Sequence, residues 1–114
     1  MTNIGIFDSG LGGLTVLKEL IKQKNANYFY FGDSLRAPYG NRDEKQIIEF
    51  SDQIVNYLEN FNIDYYVIAC NTMSITSTKF LTEKYKKKFY PITDGGLIGA
   101  KNFDGDFLVL GTKK

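Results

Sequence analysis

The sequence predicts an α/β fold organised around a parallel sheet. Two observations carry that prediction: short β-branched or aromatic runs alternate with longer segments of helical period, and the first three such runs end in polar or glycine-containing turns. At 114 residues the chain is long enough to bury one core, and its 43% apolar and 24% charged content is ordinary for a soluble globular domain.

The elements follow in order. The first strand is Ile4 to Phe7, closed by Asp8-Ser9-Gly10. Leu11, Leu14, Leu17, Leu20 and Ile21 then recur at helical spacing, which places a first helix from about Gly13 to Lys24. Asn25 to Asn27 breaks it, and Tyr28 to Phe31 forms the second strand. Gly32 to Asn41 has no apolar period and contains Pro38 and two glycines, so it reads as a long loop. A second helix spans about Asp43 to Phe61, with Ile47, Ile48, Ser51, Ile54, Val55, Leu58 and Phe61 on one face. The third strand is Tyr65 to Ala69. A third helix, from about Thr72 to Lys87, is expected to bury Met73, Phe80 and Leu81, with Ile75 also in the core. Phe89-Tyr90 is a short run punctuated by Pro91. Asp94 to Ala100 fits either a loop or a short helix, and Phe107 to Leu110 reads as a further strand.

Bulk properties narrow the function. A net charge of +1 gives no reason to expect nucleic acid or an anionic membrane as partner. No apolar run approaches the ~20 residues that span a bilayer, and no basic segment precedes an apolar one at the N-terminus, so the expected address is the cytoplasm. A single cysteine forms no internal disulfide and agrees with a reducing compartment. With no histidine and one cysteine, no metal site is expected, and acid–base work falls to Asp, Glu, Lys, Tyr or Cys70.

A parallel sheet delivers its strand ends to one edge, where ligands bind. Three segments meet there. Asp8-Ser9-Gly10-Leu11-Gly12-Gly13 is either an anion-holding turn or merely a tight one; it lacks the Lys-Ser/Thr of a Walker loop and the dinucleotide spacing. Asp33 and Pro38-Tyr39-Gly40 lie in a loop that is either substrate-lining or only solvated. Cys70 ends a strand and opens a helix, where the dipole and free N–H groups favour thiolate; the alternative is a small buried hydrophobe. Asn71 and Thr72 add an amide and a hydroxyl beside it. Lys86-Lys87-Lys88 reads as a solvated helix end.

Taken in order, Ile6-Phe7-Asp8-Ser9-Gly10-Leu11-Gly12-Gly13-Leu14-Thr15-Val16, Gly32-Asp33 with Pro38-Tyr39-Gly40, and Ile68-Ala69-Cys70-Asn71-Thr72 resemble the glutamate racemases of the cofactor-independent aspartate/glutamate racemase superfamily. The resemblance implies a three-layer, flavodoxin-like domain, the first of two, and a reaction that inverts the α-carbon of glutamate with two cysteines and no cofactor. By resemblance Cys70 is the base acting on D-glutamate and Asp8 assists it. Asp8, Ser9, Tyr39, Gly40, Asn71 and Thr72 hold the substrate's carboxylate and ammonium groups. The product serves peptidoglycan synthesis, and a homodimer is possible.

The family's second cysteine, in a Gly-Cys-Thr-His motif, belongs to its later half and is not in this sequence. The expected division is therefore residues 1–92 as the N-terminal α/β domain and 93–114 as the start of a second, truncated one. Phe107 to Leu110 is then an unpartnered strand, and the isolated chain is inactive. Met73 stands where the family more often has a smaller residue, an expected narrowing of the pocket. The alternatives are a non-catalytic amino-acid-binding or interaction module, or an aspartate or hydantoin racemase.

Overall fold

A computed structural model describes residues 1–91, together with the backbone of residues 98–103 and 106–110. Strands β1 (Asn3–Asp8), β2 (Asn27–Gly32), β3 (Tyr65–Ile68) and β4 (Lys88–Pro91) form a parallel sheet in the order β2-β1-β3-β4. Helices α1 (Gly13–Gln23), α2 (Glu44–Leu58) and α3 (Asn71–Tyr85) make the crossovers.

The side-chain alternation of the strands divides the core into two layers. Phe7, Tyr66, Ile68 and Phe89 face α2 and α3, where they meet Ile47, Ile54, Val55, Leu58, Met73 and Leu81. Ile4, Ile6, Tyr65 and Val67 face α1 and meet Val16 and Leu20. The result is the expected three-layer α/β domain. Tyr66 stacks on Phe89 at 4.7 Å between ring centres, and Phe7 meets Tyr66 edge-on at 6.0 Å. Proline ends β4, an edge strand, where its missing N–H removes no central ladder bond.

The helix boundaries have local causes. Asp43 caps α2 by accepting from the Gln46 backbone N–H at 2.8 Å while the Gln46 side chain accepts from the Asp43 N–H, a reciprocal cap worth about 1 kcal/mol. The helix stops at Leu58, earlier than the apolar pattern suggests, because Glu59–Phe61 tightens into a 3-10 turn and Asn62 adopts a left-handed conformation.

In α3 the expected core set is corrected. Met73 and Leu81 are buried, whereas Phe80 is exposed and Ile75 strongly so. Residues advance about 100° per step, so Ile75 lies some 200° round the helix from Met73. The buried stripe instead uses Met73, Ser77 and Leu81, with Ser77 bonded to Ser51 of α2 at 2.9 Å between hydroxyl oxygens. On α1, likewise, Leu14 and Ile21 are exposed beside the buried Val16 and Leu20, and Leu11, in the turn before the helix, is exposed too.

The lysine run is also not simply solvated. Lys86 terminates α3 in a left-handed conformation, and Lys87 is half-buried, bonding Glu59 at 2.8 Å and the Ile63 carbonyl at 2.8 Å.

Ile98–Phe103 (β5) and Asp106–Leu110 (β6) pair antiparallel. Ile98 to Ala100 is therefore strand rather than loop or helix, and the later strand has a partner after all. In that register Ile98 stands opposite Leu110 and Phe103 opposite Asp106. Asp94 to Leu97 and the 92/93 boundary lie outside the described residues.

Candidate active site

The C-terminal ends of β1, β2 and β3 converge. Asp8, the last residue of β1, is buried and accepts hydrogen bonds from the Ser9 N–H at 2.7 Å and from the Gly13 N–H. The cap position of α1 is Gly12, which has no side-chain oxygen, so the Asp8 carboxylate reaches across the turn to satisfy the start of the helix. Burial raises the Asp8 pKa, and the two N–H donors only partly offset this. The acid five residues ahead of a glycine-started helix was the available signal for this capping role.

Close approach explains Gly32. A Cβ there would lie 2.1 Å from the Gly10 carbonyl oxygen, so only glycine lets the β1–α1 turn cross the end of β2. The Tyr30 hydroxyl donates to that same carbonyl at 3.0 Å. Burial, and then the charge of Asp8, push this phenol up to about 12. The Asp33 N–H donates to the Asp8 carbonyl at 2.9 Å, extending the β1–β2 ladder into the loop.

The β2–α2 loop is ordered around its own interior. It contains 3-10 turns at Ser34–Arg36 and Tyr39–Asn41 and a cis Ala37–Pro38 bond. Asp33 and Tyr39 are both buried, and the Tyr39 hydroxyl donates to the Asp33 carboxylate. Burial and then that hydrogen bond hold the Tyr39 phenol protonated well above its ordinary range. Arg36 donates to Asp33 at 2.6 Å from Nε and to Gln53 of α2 at 2.6 Å from Nη1. The Tyr39 phenol is therefore engaged inside the loop, with Asp33. Gly40 is exposed, with open space where a Cβ would stand.

Cys70 follows β3 and occupies the cap position of α3, with no side-chain cap of its own. Its thiol donates to the Ser9 hydroxyl at 3.3 Å, joining the β3 and β1 ends directly. Asn71 is exposed and Thr72 half-buried on the first turn of α3. The helix start presents N–H groups and a positive dipole end to whatever sits above the thiol.

The geometry thus joins Asp8, Ser9 and Cys70 through direct hydrogen bonds, and packs Tyr39 in the same buried cluster as Cys70. Gly40 lies in the β2–α2 loop and Asn71 and Thr72 at the start of α3, at the same end of the sheet. Met73 is fully buried in that cluster. Arg36 and Gln53 are site-supporting residues that sequence reasoning missed; an arginine three residues after a buried aspartate was the signal. Among the described residues no group of His, Cys, Asp and Glu could hold a metal ion, and no helix is long and apolar enough to cross a membrane.

No protein-family model matches the chain. Individual proteins do. It is 41% identical to glutamate racemase 1 of Caldanaerobacter subterraneus over 97% of this chain and 42% of that protein. It is 52% identical to glutamate racemase 3 of the same organism over 67% of this chain and 28% of that protein. Among solved structures, a glutamate racemase isoform of Bacillus anthracis superposes with a TM-score of 0.76 at 35% identity, covering 79% of this chain and 34% of that one. The Francisella tularensis glutamate racemase in complex with D-glutamate gives a TM-score of 0.72 at 35% identity, over 79% of this chain and 35% of that one. The chain spans well under half the length of these relatives. From its sequence along nearly its whole length and from its sheet and helices, the chain belongs to the glutamate racemase family.

Proposed function

We propose that this chain carries one half of the active site of a glutamate racemase, the half that acts on D-glutamate. The observation that supports this best is the Cys70 thiol, bonded to Ser9 and set at the start of α3, beside the buried Asp8. In the proposed reaction the Cys70 thiolate takes the α-proton. The C–H bond breaks, an S–H bond forms, and the electron pair left on the α-carbon delocalises into the substrate carboxylate. A thiol on the opposite face then returns a proton, which inverts the centre without a cofactor. Asp8 assists Cys70. The Ser9 hydroxyl, the Tyr39–Gly40 main chain, Asn71 and Thr72 hold the carboxylate and ammonium groups, with the α3 N-terminus favouring the anion.

One thiol serves one face, and this chain has one cysteine. The complete reaction, cytoplasmic and supplying D-glutamate for peptidoglycan, belongs to a protein that contributes the second thiol. In this reading residues 1–92 form the N-terminal domain and 93–114 begin another. Polarimetry tests the catalytic half of the claim: L-glutamate keeps its rotation with the isolated chain, and loss of rotation contradicts the assignment. Calorimetry tests the binding half, with heat expected for D-glutamate.

A second reading has its own observation. Leu11, Leu14, Leu35 and Ile75, all exposed, stand on the loops and helix starts around the mouth, as they would in a module that meets another protein surface. Absence of any D-glutamate heat favours that reading.

A further inference from the structure

Arg36 is not among the residues proposed to hold the substrate, yet it ties together Asp33, Gln53 and Phe50 around Tyr39. Its Nε bonds the buried Asp33 carboxylate at 2.6 Å, and its Nη1 bonds Gln53 at 2.6 Å. Its guanidinium lies 3.9 Å over the Phe50 ring, and the Tyr39 ring meets the same Phe50 at 5.5 Å. The Arg36 carbonyl accepts from Arg42 Nη2 at 3.1 Å, and the Arg42 N–H returns to the Tyr39 carbonyl at 2.9 Å. Asp33 has two acceptor oxygens; Oδ2 takes both the Arg36 Nε and the Tyr39 hydroxyl. The planar fork and the flat stacking surface suit arginine and not lysine.

We propose that Arg36 is a positioning residue: by fixing Asp33 against α2 it sets the Tyr39 hydroxyl, and with it the Tyr39–Gly40 main chain that faces the substrate beside Cys70. The proposal rests on the glutamate reading for its consequence but not for its geometry, so two readouts separate them.

The first is the downfield hydroxyl proton of Tyr39 together with the Gly40 amide, followed by NMR in the wild-type chain, Arg36→Gln and Arg36→Lys. Arg36→Gln is expected to lose the hydroxyl signal and shift the Gly40 amide while β1 and β3 amides stay in place. Arg36→Lys is expected to restore the hydroxyl signal only in part. The second is alkylation of Cys70, the sole thiol of the chain, with iodoacetamide in the presence of D-glutamate. Wild-type protection is expected to weaken about tenfold in Arg36→Gln, the scale of one charge-assisted hydrogen bond.

An unchanged hydroxyl signal and Gly40 amide overturn the proposal. A changed signal with undiminished protection also overturns it, because the loop would then move without consequence. If D-glutamate fails to protect even the wild-type thiol, the glutamate reading falls and the NMR result alone decides the positioning role. Should Arg36→Gln fail to fold, Arg36→Lys decides: wild-type signals and protection there contradict the requirement for the guanidinium fork.

Discussion

The two edges of the sheet are built to opposite ends. At the N-terminal edge, Asn3 bonds Asp64, Asn27 and the Phe61 and Asn62 carbonyls, while Lys87 ties Glu59 to the Ile63 carbonyl and Tyr66 donates to Glu59. Side chains there close on the backbone and on each other. At the C-terminal edge, buried carboxylates and a thiol are held in place by turns, the start of α3 has no side-chain cap, and apolar side chains stand in solvent. One edge is latched and the other is kept open, so substitutions at the first should be read in stability and at the second in ligand binding.

The largest expected break of that contrast is Gly32→Ala, at the open edge but inside its turn. The Cβ collides with the Gly10 carbonyl, so urea unfolding should show a loss of about 1–3 kcal/mol or more, and displacement of Ser9 should weaken D-glutamate binding as well. A stability within error of wild type contradicts the close crossing.

Lys87→Met breaks the latched edge. It removes a partly exposed ion pair with Glu59 and a backbone bond to Ile63, a loss of about 1 kcal/mol in urea, and leaves D-glutamate heat unchanged. A change in that heat would show the two edges to be coupled.

Asp8→Asn sharpens the comparison through pH. The folded pKa of Asp8 is raised above the ordinary value of 3.8, so the folded state binds its proton more readily than the unfolded state does. Its contribution to stability is therefore fully present below about 3.8 and is lost as pH rises through the folded value. The stability difference between wild type and Asp8→Asn should move in the variant's favour as pH rises across that window and level off above it. A wild-type advantage that grows with pH contradicts the burial argument.

The smallest effect is expected from Leu35→Ser, at a side chain 98% exposed: a stability change within about 0.5 kcal/mol, seen in the same urea titration.

The strands and helices of residues 1–91 were legible because period-2 and period-3.6 patterns report burial directly, and Asp8, Ser9, Cys70, Asn71 and Thr72 because strand ends of a parallel sheet meet at one edge. What escaped the sequence depends on contacts between segments. Ile75 and Phe80 look apolar enough for the core, yet the hydroxyl pair Ser51–Ser77 marks the side of α3 that faces α2. Lys87 looks solvated within a lysine run, yet Glu59 and Ile63 come to it from 24 and more residues away. Arg36 gained meaning only once Asp33, Gln53 and Phe50 were placed around it.

The central claim is that the open edge is a glutamate half-site, and a D-glutamate titration followed by amide NMR on the intact chain tests it most directly. Saturable shifts are expected only at the amides of Ser9, Gly40, Asn71 and Thr72, with Asn3, Asp64 and Lys87 unmoved. Shifts centred on the latched edge, or none at any residue of the mouth, would contradict it.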